Sequence, residues 1–471
     1  MTKRFVLILL LGLSCLHAFS ENGYRLWLRY EPLNHKHVAQ YKKVFQQIVI
    51  PDSTATQRII RNEWNIALKG MMGTTISFSE NIHRKVSIVY DRDIAVYSSV
   101  VNAELKETKK ELGEDGYIIR SQLWNGKKQI FIRGKTDKAW LYATFHLLRL
   151  IQSEQPVADL NIISIPRIQL RLLNHWDNLD RTVERGYAGQ SIWNWHTLPG
   201  FEDKRYTDYA RANASIGING TVLTNVNANA TILTAPYLQK VKKLADIFRP
   251  YGIRVYLTAR FSAPIEAGGL STADPLNDAV KKWWNDKAKE IYSLIPDFGG
   301  FLVKANSEGQ PGPQNYNRTH ADGANMLADA VAPFGGIVMW RAFVYSNELP
   351  EDRHKQANLE FEPLDGAFRD NVIVQVKNGA IDFQPREPFH PLFGAMQKTP
   401  LMLELQITQE YLGQATNLVY LAPMFKECLN SDTYRPSKGN TVAQIIDGSS
   451  RQQTITAIAG VSNIGNDINW T

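Results

Sequence analysis

Glu308 is the residue of this sequence whose setting points most directly to chemistry. It lies in the stretch V-K-A-N-S-E-G-Q-P-G-P, residues 303–313, where a Gly/Pro-rich loop follows a short apolar segment. In a (β/α)8 barrel, catalytic side chains lie at the carboxyl ends of the strands and in the loops after them. We therefore expect residues 299–303 to form a buried strand and Glu308 to act as an acid or base beyond its end.

Other apolar runs are also followed by polar residues that could do chemistry. They are Asn174, His175, Trp176 and Asp177 after one run, Lys304 and Glu308 after another, then Trp340 with Arg341, Lys377 with Asp382, and Glu404 with Glu410. Because the carboxyl ends of barrel strands meet at one face, we expect several carboxylates and three cations to share a pocket.

Carboxylates and cations in one pocket favour hydrolysis of a sugar that itself carries an acid. Cleaving a glycosidic bond needs one protonated carboxyl group and one ionised carboxylate. Lys304, Arg341 and Lys377 would form charge-assisted pairs with a substrate anion, and a uronic acid is a sugar of that type. A Lys/Asp/Glu network with a purely structural role in the barrel is the alternative interpretation.

The elements that must position these residues are predicted by alternation of apolar runs with amphipathic helices. The predicted strands cover residues 169–175, 221–226, 254–258, 301–304, 337–345, 372–376, 401–406 and 454–461. Helical stripes run through 241–248 and 280–295, where Trp283 and Trp284 are interpreted as packing residues. The predicted class is α/β, with a TIM-type (β/α)8 barrel over residues 165–471.

A smaller α+β domain is predicted before the barrel, over residues 21–160. Strand patterns occur at 85–90, 117–120 and 129–133, and Leu141, Phe145 and Leu148 then recur at helical spacing. We find no residues in this part that predict chemistry.

The first twenty residues have the layout of a secretory signal peptide. Lys3 and Arg4 precede an apolar run over residues 5–16, and small residues follow at Ala18 and Ser20. We therefore expect export to the periplasm or the extracellular space. Cys15 as a lipid-anchor cysteine is the alternative reading.

The remaining composition excludes several classes of function. The net charge is +7, without a dense Lys/Arg block interleaved with aromatic residues, so no nucleic-acid partner is predicted. No second apolar run is long enough for a membrane span. The ten histidines show no metal-binding spacing and no phosphate-binding loop is present, so neither a metal nor a cofactor is expected.

Several strings resemble glycoside hydrolase family 67, the xylan α-1,2-glucuronidases, across nearly the whole mature chain. These strings are R-L-L-N-H-W-D-N-L-D at 171–180, E-R-G-Y-A-G at 184–189, K-A-N-S-E at 304–308 with P-G-P at 311–313, M-W-R at 339–341, V-K-N-G at 376–379, I-D-F-Q at 381–384 and E-L-Q-I-T-Q-E-Y at 404–411.

The resemblance implies release of (4-O-methyl)glucuronic acid from the terminal xylose of glucuronoxylan oligosaccharides, with inversion. It implies that Glu308 is the general acid and that Asp382 and Glu410 position and deprotonate water, without saying which of the two takes the proton. It further implies that Lys304, Arg341 and Lys377 surround the uronic acid and that Trp176 packs against the sugar. Acid and base carboxyls of an inverting enzyme stand roughly 6.5–9.5 Å apart.

Family members resembling this chain continue past its last residue, Thr471, into the final part of the barrel and a C-terminal helical domain that helps to form a homodimer. We therefore expect this chain to be truncated and the isolated fragment to fold poorly or act weakly. Losing ~1000 Å² of burial corresponds to about 25 kcal/mol before the entropy offset.

Two other functions remain open at the level of sequence. Hexosaminidase-type barrel hydrolases share the preceding α+β unit, but they use an adjacent Asp-Glu pair where this chain has Ser307 before Glu308. A non-catalytic protein that binds acidic xylooligosaccharides is the second alternative. Assaying free uronic acid after incubation with aldouronic oligosaccharides separates these readings.

Overall fold

The chain forms a barrel preceded by a separate mixed sheet. The computed structural model describes residues 22–81, 87–92, 112–124, 126–227, 229–345, 352–385, 387–408, 410–413, 419–434, 440–451 and 453–467. The signal peptide predicted over residues 1–20 lies outside these ranges, as does Thr471.

Fourteen strands are formed by the described residues. In chain order they are β1 (Gln47–Val49), β2 (Ser77–Ser79), β3 (Ile88–Asp91), β4 (Tyr117–Trp124), β5 (Lys127–Gly134), β6 (Asn161–Ser164), β7 (Leu170–His175), β8 (Gly220–Val222), β9 (Arg254–Thr258), β10 (Gly300–Val303), β11 (Ile337–Arg341), β12 (Val372–Lys377), β13 (Leu401–Gln406) and β14 (Ala457–Ser462).

The α-helices alternate with these strands through most of the chain. In the described ranges they are α1 (His35–Val44), α2 (Ala55–Met72), α3 (Asp137–Gln152), α4 (Lys204–Ala214), α5 (Ala235–Phe248), α6 (Ala263–Glu266), α7 (Asp278–Leu294), α8 (His320–Val331), α9 (Arg353–Phe361), α10 (Leu392–Ala395), α11 (Ala422–Asn430) and α12 (Val442–Ile446). Short 3-10 turns lie at Leu26–Arg29, Ala230–Leu233, Arg249–Tyr251, Pro313–Tyr316, Ala332–Phe334 and Glu362–Leu364.

Strands β7 to β14 form a closed, all-parallel barrel in chain order. The last strand closes on the first, with Ala457 opposite Leu170 and Ser462 opposite His175. All eight predicted barrel strands are confirmed. The second and fifth end earlier than predicted, because the chain leaves the sheet after Val222 and after Arg341. The last begins at Ala457, three residues later than predicted.

The two faces of each barrel strand pack into different cores. Leu172, Leu302, Met339 and Met402 belong to the cluster inside the barrel, whereas Phe301 belongs to the larger cluster that contacts the helices. Burial on both faces explains why these strands are continuously apolar.

Helix α7 shows how the outer layer covers the barrel. Asn277 caps its first turn by accepting the Ala279 N–H at 2.9 Å. Trp284 is fully buried and meets Phe301 edge-on, with ring centroids 5.7 Å apart. Its role is therefore packing, as predicted. None of the helices in the described part of the chain is long and apolar enough to cross a membrane.

The N-terminal sheet has the order β2-β1-β3-β5-β4-β6, with β4 antiparallel to both of its neighbours. Trp64 on α2 and Trp140 on α3 are buried against it, and the Trp64 indole donates to the Tyr90 hydroxyl at 2.8 Å. Three of its strands were predicted and are confirmed. The short strands β1, β2 and β6 were not predicted, and β6 lies just beyond residue 160.

Ion pairs attach this sheet to the amino end of the barrel. Asp115 accepts hydrogen bonds from Arg171, near the start of β7, at 2.5 Å and from Asn219, just before β8, at 3.0 Å. Lys138 pairs with the same carboxylate at 2.6 Å. The N-terminal sheet therefore contacts the end of the barrel opposite the carboxyl ends of its strands.

Candidate active site

The strand register directs three cations into the carboxyl end of the barrel. Residues two apart on a strand face the same side. Leu302 and Met339 point into the barrel, so Lys304 and Arg341 do as well, and Lys377 ends β12 in the corresponding position. All three cations are buried. Buried charges are costly unless they are paired, so each of the three cations needs a partner.

Arg341 has its partner on β13, on the far side of β12. Its Nε and Nη2 donate to the two carboxylate oxygens of Glu404 on β13 at 2.9 and 3.0 Å. Both side chains are fully buried. The bidentate pair holds the guanidinium in one orientation.

Lys377 pairs with Asp382 in the loop that follows β12. The Tyr411 hydroxyl donates to the second oxygen of Asp382 at 3.2 Å. Burial, reinforced by nearby Arg341, lowers the pKa of Lys377 to about 8. Burial alone would raise the pKa of Asp382, but the Lys377 ammonium outweighs it and holds that pKa below its usual value. Asp382 is therefore an ionised carboxylate at neutral pH.

Lys304 contacts Glu308 and is steadied from the other side by Asn227. Its Nζ donates to Glu308 Oε2 and to Asn227 Oδ1 at 2.8 Å. The Asn227 amide in turn donates to Glu184 at 3.1 Å. Burial and nearby Arg341 lower the pKa of Lys304. The ammonium is thus held between an amide and a carboxylate.

Glu410 receives hydrogen bonds on both carboxylate oxygens. Arg185 Nε lies 2.6 Å from Oε1, and the Gln406 amide at the end of β13 donates to Oε2 at 2.7 Å. Glu410 is almost fully buried, whereas Arg185 is half exposed. This carboxylate is therefore oriented by one residue from the barrel and one from the loop after β7.

The loop bearing Glu308 has an unusual backbone. Glu308 has φ +51° and Asn306 has φ +53°, in the left-handed region that non-glycine residues rarely adopt. Tyr345 holds the loop twice: its N–H donates to Ser307 Oγ at 3.0 Å, and its carbonyl accepts the Glu308 N–H at 3.2 Å. A Cβ at Gly312 would come within 2.6 Å of the Asn306 nitrogen. The close approach explains why residue 312 is a glycine.

Two aromatic side chains form the apolar wall of the site. The Phe343 ring lies 3.2 Å from the Lys377 nitrogen, 5.5 Å from the Arg341 guanidinium and 5.6 Å from the Lys304 nitrogen. Trp176 lies 5.9 Å from the same guanidinium. The negative face of an aromatic ring attracts cations, so Phe343 contributes to holding three like charges together.

The seven residues to which the family resemblance assigns roles line one cavity at the carboxyl ends of the strands. They are Trp176, Lys304, Glu308, Arg341, Lys377, Asp382 and Glu410. The structure adds five neighbours that the sequence did not single out for the site, namely Glu184, Arg185, Val226, Asn227 and Phe343. Glu184 and Arg185 stand in one of the quoted strings, while Phe343 lay in a predicted strand and carried no polar signal.

His175 does not belong to this cavity. It is fully buried and its Nε2 lies 2.8 Å from the Tyr209 hydroxyl, so it is a hydrogen-bonded core residue. Across the described ranges, no group of three or more His, Cys, Asp or Glu side chains is arranged to hold a metal ion.

A parallel barrel with carboxylates and cations at the carboxyl ends of its strands defines a barrel of the enzyme type. Comparison with known proteins identifies the family. The N-terminus of glycosyl hydrolase family 67 matches residues 26–147, and its middle domain matches residues 150–470. The chain belongs to glycosyl hydrolase family 67.

Fungal relatives agree with this assignment. Alpha-glucuronidase A of Emericella nidulans is 41% identical over 98% of this chain, and alpha-glucuronidase of Hypocrea jecorina is 39% identical over 100% of it. The chain spans 56% of the length of each.

Solved structures resemble the chain in fold. The N-acetyl-beta-hexosaminidase of Streptomyces plicatus superposes with a TM-score of 0.52 at 13% identity, covering 90% of this chain and 82% of that one. A GH138 enzyme targeting pectin rhamnogalacturonan II gives 0.51 at 12% identity, covering 88% and 46%. At such identities the likeness concerns the fold alone.

Proposed function

We propose that the complete protein is an α-glucuronidase, which releases (4-O-methyl)glucuronic acid from the terminal xylose of glucuronoxylan oligosaccharides by hydrolysing the α-1,2 bond. The observation that carries this proposal is the set of three buried cations, Lys304, Arg341 and Lys377, facing the same cavity as the carboxylates of Glu308, Asp382 and Glu410. Buried cations favour an anionic ligand, and a uronic acid supplies one. Membership of the family and the names of the fungal relatives support the same substrate.

The reaction we propose is a single displacement with inversion. Glu308 gives a proton to the glycosidic oxygen as the bond to xylose breaks, and a water molecule attacks the opposite face of the sugar. Asp382 and Glu410 are the candidates that position this water and take its proton. Support for these roles is the ionised state of Asp382 and the fixed orientation of the Glu410 carboxylate between Arg185 and Gln406.

We further propose that the protein is exported, takes part in xylan breakdown and forms a homodimer in its complete form. Export is supported by the leader pattern in residues 1–20. The homodimer rests on the family resemblance.

The test is to incubate the complete protein with an aldouronic oligosaccharide and to measure free uronic acid, with an N-acetylhexosaminide as the comparison substrate. We expect uronic acid from the first substrate and no release from the second. Glu308→Gln should lower kcat by about 10²–10⁴-fold, the usual contribution of a general acid, while the oligosaccharide still binds. Absence of uronic acid release by folded protein would contradict the proposal.

Proton NMR of the fresh product tests the stereochemistry. Inversion at an α-linked sugar produces the β-anomer first, before mutarotation. Appearance of the α-anomer first would contradict a single displacement. Asp382→Asn and Glu410→Gln, assayed side by side, then identify the base as the residue whose loss removes the acidic limb of the pH profile of kcat/KM.

A further inference from the structure

The buried Lys304 is paired with the very carboxylate that is proposed to donate the proton. Its ammonium contacts Glu308 Oε2 and Asn227 Oδ1. The Lys304 side chain is 2% exposed, whereas that of Glu308 is 45% exposed. The cation is therefore fixed within the wall, and its anionic partner reaches in from the open side of the cavity.

An ion pair with an ammonium group favours the ionised form of a carboxyl group. A general acid has to carry a proton when the glycosidic bond breaks. Paired with the Lys304 ammonium, Glu308 is not placed to present a proton to a glycosidic oxygen.

The remaining charges of the cavity do not relieve this pairing. Arg341, Lys377 and Arg185 each have their own carboxylate, in Glu404, Asp382 and Glu410. The charged and titratable groups around Glu308, besides Lys304, are Glu184, Arg185, Arg341, Lys377, Asp382, Glu410 and the phenol of Tyr345.

Of the two partners, Glu308 is the one that can move away. Asn227 holds Lys304 from behind and is itself held by Glu184. The Glu308 side chain is 45% exposed, so it can rotate toward solvent. Desolvation lowers the pKa of Lys304, and an incoming anion would offset that cost better than a solvated carboxylate does.

Building on the proposed function, we propose that the carboxylate of the substrate displaces Glu308 from Lys304 and thereby switches the general acid on. Once displaced, Glu308 loses its cation and gains an anionic neighbour, and both changes favour uptake of one proton from solvent. That proton then passes to the glycosidic oxygen. When the uronic acid leaves, the ionised Glu308 pairs with Lys304 again.

The mechanism predicts that the sugar carboxylate matters for the catalytic step as well as for binding. A carboxyl-reduced substrate, in which glucose replaces glucuronic acid, should lose kcat in addition to raising KM. If Lys304 served only for binding, the two substrates would have the same kcat and would differ only in KM. A lower kcat for the carboxyl-reduced substrate therefore indicates a role in the catalytic step.

The direct test measures the protons taken up when D-glucuronate binds, by calorimetry in buffers of different ionisation enthalpy. The titrations are done at about pH 6. Lys377, whose pKa is about 8, is already protonated at that pH. We expect the complete protein to take up a substantial fraction of one proton per ligand. Glu308→Gln should bind glucuronate at least as tightly and lose most of that uptake. Lys304→Met should bind weakly and also lose it.

The outcomes separate this inference from the proposed function. Glucuronate that binds with the same proton uptake in the wild type and in Glu308→Gln would overturn the switch and leave the α-glucuronidase proposal standing. Glucuronate that binds neither protein, although both are folded by circular dichroism, would overturn the proposed function itself.

Discussion

Arg341 and Glu404 form a fully buried, two-point ion pair across strand β12, with N···O distances of 2.9 and 3.0 Å. The pair joins the carboxyl ends of β11 and β13 on either side of Lys377. It therefore fixes the geometry of the cavity and the position of a cation within it.

Replacing Glu404 by Gln should destabilise the protein strongly. The change leaves the Arg341 guanidinium buried with no counter-charge, and breaking a buried pair in this way typically costs about 3–5 kcal/mol. Urea denaturation gives the free energy of unfolding for both proteins. Asp286→Asn is the matched control, because its pair with Lys282 is mostly exposed and should be worth less than about 1 kcal/mol. Equal losses in the two variants would contradict the expectation.

Binding of glucuronate should weaken as the pH rises through the pKa of Lys377. That pKa is lowered to about 8 by burial and by Arg341, so the ammonium loses its charge above this value. A bound carboxylate raises the pKa of Lys377 above its value in the free protein. Between these two pKa values, the Kd for glucuronate should rise by up to about tenfold per pH unit. Calorimetric titrations across this range measure it. In Lys377→Met this rise of Kd with pH should disappear. If the rise is unchanged in that variant, it belongs to Lys304 and the prediction is wrong.

Phe343→Leu should shift the rise of Kd for glucuronate to lower pH. The ring lies 3.2 Å from the Lys377 nitrogen, and a desolvated cation–π contact is worth about 2 kcal/mol. Without it, the charged form of Lys377 is less favourable. Phe393→Leu, at a fully buried phenylalanine on α10, controls for lost ring volume. A shift of equal size in both variants would assign the effect to packing.

Asp115→Asn should destabilise the protein at neutral pH, and progressively less as the pH falls through the folded pKa of Asp115. Burial alone would raise the pKa of Asp115, but Lys138 and Arg171 outweigh it and lower that pKa. A lowered pKa in the folded state contributes stability above the unfolded value of about 3.9, and this stability is lost as the pH falls through the folded value. The gap between wild type and variant should be about 1–3 kcal/mol at neutral pH.

Urea denaturation of both proteins at about pH 7 and at a series of values from about pH 4 down to about pH 2 measures how this gap shrinks. Asp159→Asn is the control, because the pair of Asp159 with Lys128 is mostly exposed, and its gap should be small at all of these pH values. A gap for Asp115→Asn that persists in acid would show that shape, and not charge, makes its contribution.

The barrel strands were predictable because burial on both faces makes each one a continuous apolar run. Strands β1, β2 and β6 of the N-terminal sheet have three or four residues, too few for a periodic pattern to stand out. The sequence predicts a longer β11 because Phe343 is apolar, whereas the Phe343 side chain forms part of the cavity wall. Hydrophobic patterns do not distinguish a strand from an apolar loop that folds over a site.

The residues of the site were predictable where strand register directs them inward, as for Lys304, Arg341 and Lys377. Their pairing was not. The sequence offers several carboxylates to each cation, and only the backbone geometry decides that Lys304 meets Glu308 while Arg341 meets Glu404. Asn227 could not be found for a related reason, since its contact with Lys304 joins residues 77 positions apart.

Closure of the barrel sets the order in which the protein can become functional during its synthesis. Strand β14 pairs with β7, and the adjoining bond from Gln169 to Thr456 joins residues 287 positions apart. Contacts over such separations form late, because loop closure precedes any gain from them. Trp176 directly follows β7, so its wall of the cavity reaches its final position only after β14 has left the ribosome. A nascent chain that still lacks this strand carries every charged residue of the site and no finished cavity to hold a sugar.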